Sequence, residues 1–423
     1  MRNASRILVL GSFVVAGVLS ARPCRAQTLV SDAELRGIGL TKYWSATLPI
    51  EAGDEIAGAF LVDEHIYAIS ESGILFAVQV DMGLIRWAET IGSVGERVYP
   101  PHHVLTTQGD GPVVVATTTA IHVLDRYTGG VRALLRTGYT SGSAVIGVGR
   151  RLYFGSADGR FYSVIWSAEG GGKWLKEWEV MAGGPVQAAP VFHDDGKLVY
   201  GNLKGTVVSF HSEDKALEWT YQTDGAIEGD PVVDDSGVYV ASMDRSLYKF
   251  DIQTGDVLWR VRTDKPLRDG PILDLHTVFQ FVAGSGLLAI DAHTGKEMWR
   301  SAAGRTFLAA DKERDILWTS DGRLEAVDHE TGKVRGYAAG CDPCLPLTNT
   351  TGDAVILVGR DGRILCARSS SGPYLRRGDV HVAADRLNFA PREKADAALP
   401  PPIQVEPDRA TEDPLRSRRD VRP

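Results

Sequence analysis

Cysteine is scarce, with four residues in a chain of 423. One of them, Cys24, falls in an amino-terminal leader, which leaves Cys341, Cys344 and Cys366. An exported chain of this size with so few cysteines must be held by its core. Basic charge is also in deficit: 46 Lys and Arg stand against 54 Asp and Glu, a formal net charge of −8. That balance argues against a phosphate-backbone binder and predicts no nucleic-acid partner. Long helical periodicity is scarce. After the leader, no apolar run approaches the roughly twenty residues of a membrane helix. No Ser-His-Asp spacing, phosphate loop or zinc signature stands out.

Glycine is plentiful, at 46 residues, and one turn recurs. Asp251-Ile252-Gln253-Thr254-Gly255 leads into Val257-Leu258-Trp259, and about forty residues later Asp291-Ala292-His293-Thr294-Gly295 leads into Glu297-Met298-Trp299. A truncated copy runs from Asp328 to Gly332, and an earlier one from Asp125 to Gly129. The Asp side chain can accept from backbone N–H groups two or three residues on. The Gly reaches positive φ without strain. Alternating runs flank the turn, so each copy reads as a β-hairpin. A tryptophan buries roughly 150–250 Å², worth up to about 4–6 kcal/mol by area. Repeated once per unit, it can join neighbours.

Eight such units follow one another. Outer-strand tryptophans stand at Trp87, Trp178, Trp219, Trp259 and Trp299; unit two has Ala133 in that place, and units seven and eight have none. Short strands opened by Pro190, Pro231 and Pro271 separate units. Four strands per unit at a period near forty describe a propeller blade. Trp44 lies in an orphan strand before the first unit and supplies the outer strand that unit eight lacks. The expected fold is therefore all-β: an eight-bladed β-propeller of four-stranded blades, its ring closed by an N-terminal strand. Seven blades are the alternative, with unit two or eight irregular.

The remaining segments are read from composition. Residues 1–26 resemble a secretory signal: Arg2 and Arg6, an uncharged run over residues 7–19, then Cys24-Arg25-Ala26 as a small-x-small cleavage site. This predicts a periplasmic or secreted protein with no transmembrane segment after cleavage. Residues 27–42 form an N-terminal linker with a short capped helical turn at Ser31-Asp32-Ala33-Glu34-Leu35, residues 43–377 the propeller, and residues 378–423 a disordered tail with a stiff Pro400-Pro401-Pro402 run.

The blade pattern is Leu-Tyr-x-x-Asp, x-x-Thr-Gly, then Trp. It resembles the pyrroloquinoline-quinone-like, BamB-type propeller repeat over roughly residues 43–375, best in units five and six. The resemblance implies one of two lineages. One comprises quinone-dependent dehydrogenases; the other, non-catalytic envelope scaffolds of outer-membrane assembly. The size, the leader and the early closing strand favour the second, although Arg22-Pro23 before Cys24 makes no lipobox. The expected function is a non-enzymatic exported scaffold with envelope proteins, including outer-membrane assembly machinery, as partners. The alternatives are a quinone-dependent oxidoreductase using PQQ and Ca²⁺, and an envelope carbohydrate-binding module.

The residues offer little to the enzyme alternative. Many large quinone enzymes of the first lineage stack the cofactor on adjacent cysteines, and none are adjacent here. Asp194-Asp195 and Asp234-Asp235 could hold Ca²⁺, but they fall in hairpin turns where solvated acids are usual. His102-His103 follows two prolines on a strand, where adjacent side chains point to opposite faces. No catalytic, cofactor or metal residue is therefore assigned. Cys341 and Cys344 read as a structural disulfide in a connector, with Cys366 able to pair with either. Asn349-Thr350-Thr351 is a glycosylation sequon that matters only in a eukaryotic secretory path.

Overall fold

In the computed structural model, residues 29–107, 109–168, 172–341 and 343–369 are described. They form eight four-stranded antiparallel sheets arranged as the blades of a propeller. Blade five shows the plan: strands Val232–Asp234, Gly237–Ser242, Ser246–Phe250 and Val257–Arg262 run in order from the inside outward. We call these positions A to D. The middle strands are buried on both faces, because each blade packs between two others. Only the outer strand alternates with solvent.

Blade eight is built from both chain ends. Its order is Leu40–Thr47, Arg363–Ser369, Val355–Gly359, Cys344–Leu347, with Trp44 opposite Cys366. The expected closure by an early strand is the one observed, and the count is eight. Each of the eight outer strands carries a register shift one residue before the tryptophan position, as at Lys249/Phe250 opposite Val257–Trp259. Such a bulge adds local twist and re-aims a side chain. Here it turns the tryptophan toward the neighbouring blade.

Two blades have no tryptophan on the outer strand, and the structure fills both places differently. In blade seven the position is Gly336, opposite Ala326. A Cβ there would lie 3.2 Å from the Gly37 carbonyl and 3.4 Å from Ile38. The helix Asp32–Gly37, capped by Ser31 and Glu34, packs on this site. It brings Leu35 and Ile38 into one core cluster with Ile316, Leu324 and Ala338. In blade two the position is Ala133. It is covered by blade three, whose long hairpin Arg160–Ser167 and Lys173–Met181 places Trp166 and Trp174 in the same cluster.

The tail expected to be disordered, residues 378–423, and the leader, residues 1–26, lie outside the described residues. No helix among the described residues is long and apolar enough to cross a membrane.

Candidate partner-docking site

The recurrent turn and tryptophan form one device. Asp251 Oδ1 accepts from the Gln253 and Thr254 amides at 2.8 and 2.9 Å, and Asp125 does the same for Tyr127 and Thr128. Asp291 and Asp328 accept from Thr294 and Thr331. The Thr254 and Gln253 amides hold the Asp251 carboxyl below its usual range. The turn closes with the Gly amide on the Asp carbonyl, at 2.9 Å for Gly255 and Gly295 and 2.8 Å for Gly129 and Gly332.

Gly255 and Gly295 have φ of +75° and +70°, and a Cβ on them would lie 2.6 and 2.8 Å from the indoles of Trp219 and Trp259. The glycine thus serves both the turn and the tryptophan seated on it from the preceding blade. The indole N–H then donates to the next turn: Trp44 to the Val80 carbonyl (2.8 Å), Trp87 to Arg126 (2.9 Å), Trp219 to Ile252 (3.0 Å), Trp259 to Ala292 (3.1 Å) and Trp299 to His329 (2.9 Å).

Trp178 is the exception. Its turn partner in blade four is built on His211 and Lys215, with Lys215 at φ +54° in place of Gly. The Trp178 N–H is buried without a partner, and the Ser212 carbonyl it would reach takes the Tyr153 hydroxyl at 3.1 Å. This turn and the one at Gln79 to Gly83 were not evident in the sequence, because neither begins with Asp. Their signal was the spacing alone: four residues between a strand end and a positive-φ residue.

Cys341 and Cys344 are joined by a disulfide, and Cys366 is a free thiol that burial pushes up to about 12. Asp195 is occupied by His193, Lys197 and Gln253, and Asp234 by Ser236 and Tyr239. These acids are tied into turns.

The face opposite the Asp-Gly turns carries the connections from strand D of one blade to strand A of the next. Between blades three and four, four and five, and five and six, nine residues intervene. Each connection drops one aliphatic side chain inward: Val186, Ile227 or Leu267, all 0 % exposed. They pack near the end of strand B, on the residue paired two positions before the tryptophan's partner: Gly155, Gly201 or Ala241. A Cβ at Gly155 or Gly201 would lie 2.2 or 2.4 Å from the plug, so the glycines make room for it.

Between blades six and seven this plug is missing. Strand Glu297–Ser301 passes to Gly304–Ala310 with only Ala302 and Ala303 between. The equivalent residue of strand B is Phe281, opposite Leu287. A cavity of about 440 Å³ remains, lined by Phe279, Phe281, Leu287, Trp318 and Pro346 among others. Phe279 and Leu287 correspond by register to Tyr239 and Leu247, which contact Leu267 one interface earlier. At the rim, Arg305 lies 4.1 Å over the Phe281 ring and pairs with Asp269 at 3.1 Å. The connector closed by the Cys341–Cys344 disulfide follows, and its Gly340 abuts Trp318. The site is an apolar slot rimmed by charge.

This fold defines a class, the closed propellers of quinone-protein-like repeats. The family described as outer membrane protein assembly factor BamB matches residues 163–273 and 265–386, and the chain belongs to that family. Among solved structures, BamB from Moraxella catarrhalis is similar with a TM-score of 0.61 at 18 % identity, covering 79 % of this chain and 99 % of that one. Saccharomyces cerevisiae Sqt1 is similar with a TM-score of 0.60 at 12 % identity over 79 % and 99 % of the two chains. The computationally designed Ika8 protein gives 0.57 at 15 % over 76 % and 98 %. At these identities the likeness is one of fold. No curated protein matches the chain.

Proposed function

We propose that this protein is a non-enzymatic, exported envelope scaffold, and that it docks a protein of the outer-membrane assembly machinery in the slot between blades six and seven. The observation that carries the reading is the missing plug. Three interfaces of the same ring show that a polypeptide loop bearing one aliphatic residue fills this place, and the fourth is left open. A partner segment with Leu, Ile or Val would bury the same apolar surface.

Charge sets the neighbouring position. Glu228, which follows Ile227, pairs with Arg268, which follows Leu267, at 2.8 Å, whereas the residue after Val186 is the neutral Gln187. An acidic residue after the partner's aliphatic one would lie beside Arg268 and Arg305, as Glu228 lies beside Arg268. The ring is rigid before binding, so little ordering entropy is lost on docking. The family's description as an assembly factor supports this choice of partner.

The test is site-specific photocrosslinking in the cell envelope, with the reactive residue at Thr306 in the slot or at His293 on the opposite face. Capture of an assembly-machinery protein from Thr306 alone, lost on Arg305→Glu, is the expected result. Equal capture from both positions, or none from Thr306, overturns the reading.

A further inference from the structure

A polar centre lies between blades one and two, on the face of the Asp-Gly turns. Asp63 and Glu64 form the turn joining Ile56–Val62 to His65–Ser70, and His103 ends the first strand of blade two. One ligand atom from each of Asp63, Glu64 and His103 lies within 4.8 Å of the others. His65 and His103 are 1 % and 7 % exposed. In the turn of blade two, Arg126 stands where Ile252 and Ala292 stand in blades five and six. Its side chain enters the same cluster.

The hydrogen bonds here do not close. His103 Nε2 is 2.8 Å from the Tyr67 hydroxyl. His103 Nδ1 is 2.7 Å from Asp63 Oδ2, which requires a proton on the nitrogen, and 2.8 Å from the Arg126 guanidinium, which requires a lone pair. One nitrogen cannot satisfy both. The Asp63 and Glu64 carboxylates both pair with the Arg126 guanidinium, and Arg86 acts on Glu64 from farther off. Glu64 Oε1 faces His65 Nδ1 at 3.2 Å, and both atoms are buried without a hydrogen-bond partner. These are the marks of a place built for a further cation. Ligands bound about 2 Å from one ion come within roughly 3–4 Å of each other, so Asp63, Glu64 and His103 would draw slightly closer on binding, with His65 joining from beside Glu64.

We propose that Asp63, Glu64, His65 and His103 form a site for one divalent transition-metal ion of the zinc type. Two imidazoles with two carboxylates suit such an ion better than calcium or magnesium, which prefer oxygen alone. His103 binds through Nδ1 while its Nε2–H donates to the Tyr67 oxygen, which orients the ring as outer partners of metal-bound histidines do. Tyr67 is thus a positioning residue. Arg126 competes with the ion for the same acids. The ion would clamp the first turn of blade one to the first strand of blade two, independently of the docking slot.

Zinc chloride is titrated calorimetrically into the purified full chain after chelator treatment, with circular dichroism to check folding. The expected result is one zinc ion per chain. Glu64→Gln and His103→Gln should weaken binding at least tenfold, Tyr67→Phe should weaken it about tenfold, and Arg126→Gln should tighten it severalfold. Should His103→Gln fail to fold, Glu64→Gln carries the comparison, since its side chain is partly exposed. No zinc uptake by either the unaltered protein or Arg126→Gln would overturn the proposal. Unchanged affinity in Glu64→Gln would overturn it too, by placing the ion elsewhere.

Discussion

The two interfaces flanking blade six are alike on one face and unlike on the other. On the turn face, Trp259 and Trp299 each sit on a turn glycine and donate to a carbonyl one blade on. On the connection face, Leu267 fills the first interface, whereas the second has two alanines and a cavity. The ring is therefore fastened along one face, and the other is free to gain or lose a loop without opening the circle. Variation in a repeat protein is informative where it interrupts such a constant background.

The largest effect should come from the fastening itself. Trp259→Ala and Trp299→Ala should each cost about 3–5 kcal/mol in urea denaturation, and by similar amounts. A much smaller loss at Trp299 would mean that the two interfaces are not fastened alike. Next, Leu267→Ala should cost about 2–5 kcal/mol and give blade five the open slot that blade six already has. A near-neutral result would show that the plug is not what separates the interfaces.

The strands facing each other across the open interface also differ. Asp315 is wholly buried where Val238, Val278 and Val355 stand in other blades, and it holds His329 at 2.8 Å with its second oxygen unpartnered. Burial raises the Asp315 carboxyl. For His329, burial opposes the shift, but the hydrogen bond to Asp315 outweighs it and raises the imidazole. A raised acid favours the folded state less as pH climbs from its unfolded value near 4 through its folded one. The histidine's contribution is complete below about 6.5 and is lost as pH rises through its folded pKa. Both act in one direction, so this pair contributes more stability near pH 5 than near pH 9, against His65, His102 and His122, whose pKa values are lowered by burial and act the other way. Asp315→Val should remove the pair's contribution, lowering stability at pH 5 relative to pH 9, and add about 1–3 kcal/mol at pH 8. An unchanged difference between pH 5 and pH 9 in the variant would refute the account.

The smallest change concerns the interface between blades three and four, where Lys215 displaces the usual glycine. Lys215→Gly should relieve left-handed strain worth about 1 kcal/mol and let Trp178 approach the Ser212 carbonyl. A shift in tryptophan fluorescence with a slightly raised melting temperature is expected; lower stability would count against the comparison with Gly255.

The architecture was legible in the sequence because its signals are local. Asp, Thr, Gly and Trp mark the turns of blades five and six within nine residues, and the orphan strand at Trp44 matched the missing one in blade eight. The helix Asp32–Gly37 was also legible as a capped turn, from Ser31 and Glu34. Its role was not, since nothing near it in sequence announces Gly336. The docking slot was hidden for a related reason. Its lining comes from several strands, and its defining feature is two alanines where nine residues would otherwise run. The polar centre between blades one and two brings Asp63, Glu64 and His65 against His103 and Arg126, and only the fold relates these positions. His102 and His103 were expected to point apart, and the hydrogen bonds described at the centre involve His103.

The strand Leu40–Thr47 is among the first parts of the propeller to be synthesised, and it pairs with Arg363–Ser369, among the last. Until that late segment emerges, the early strand has no partner and the nascent ring presents two open edges. Assembly thus has a built-in completion check. A chain cut short before residue 363 cannot latch, and its unpaired edges would expose it to proteases.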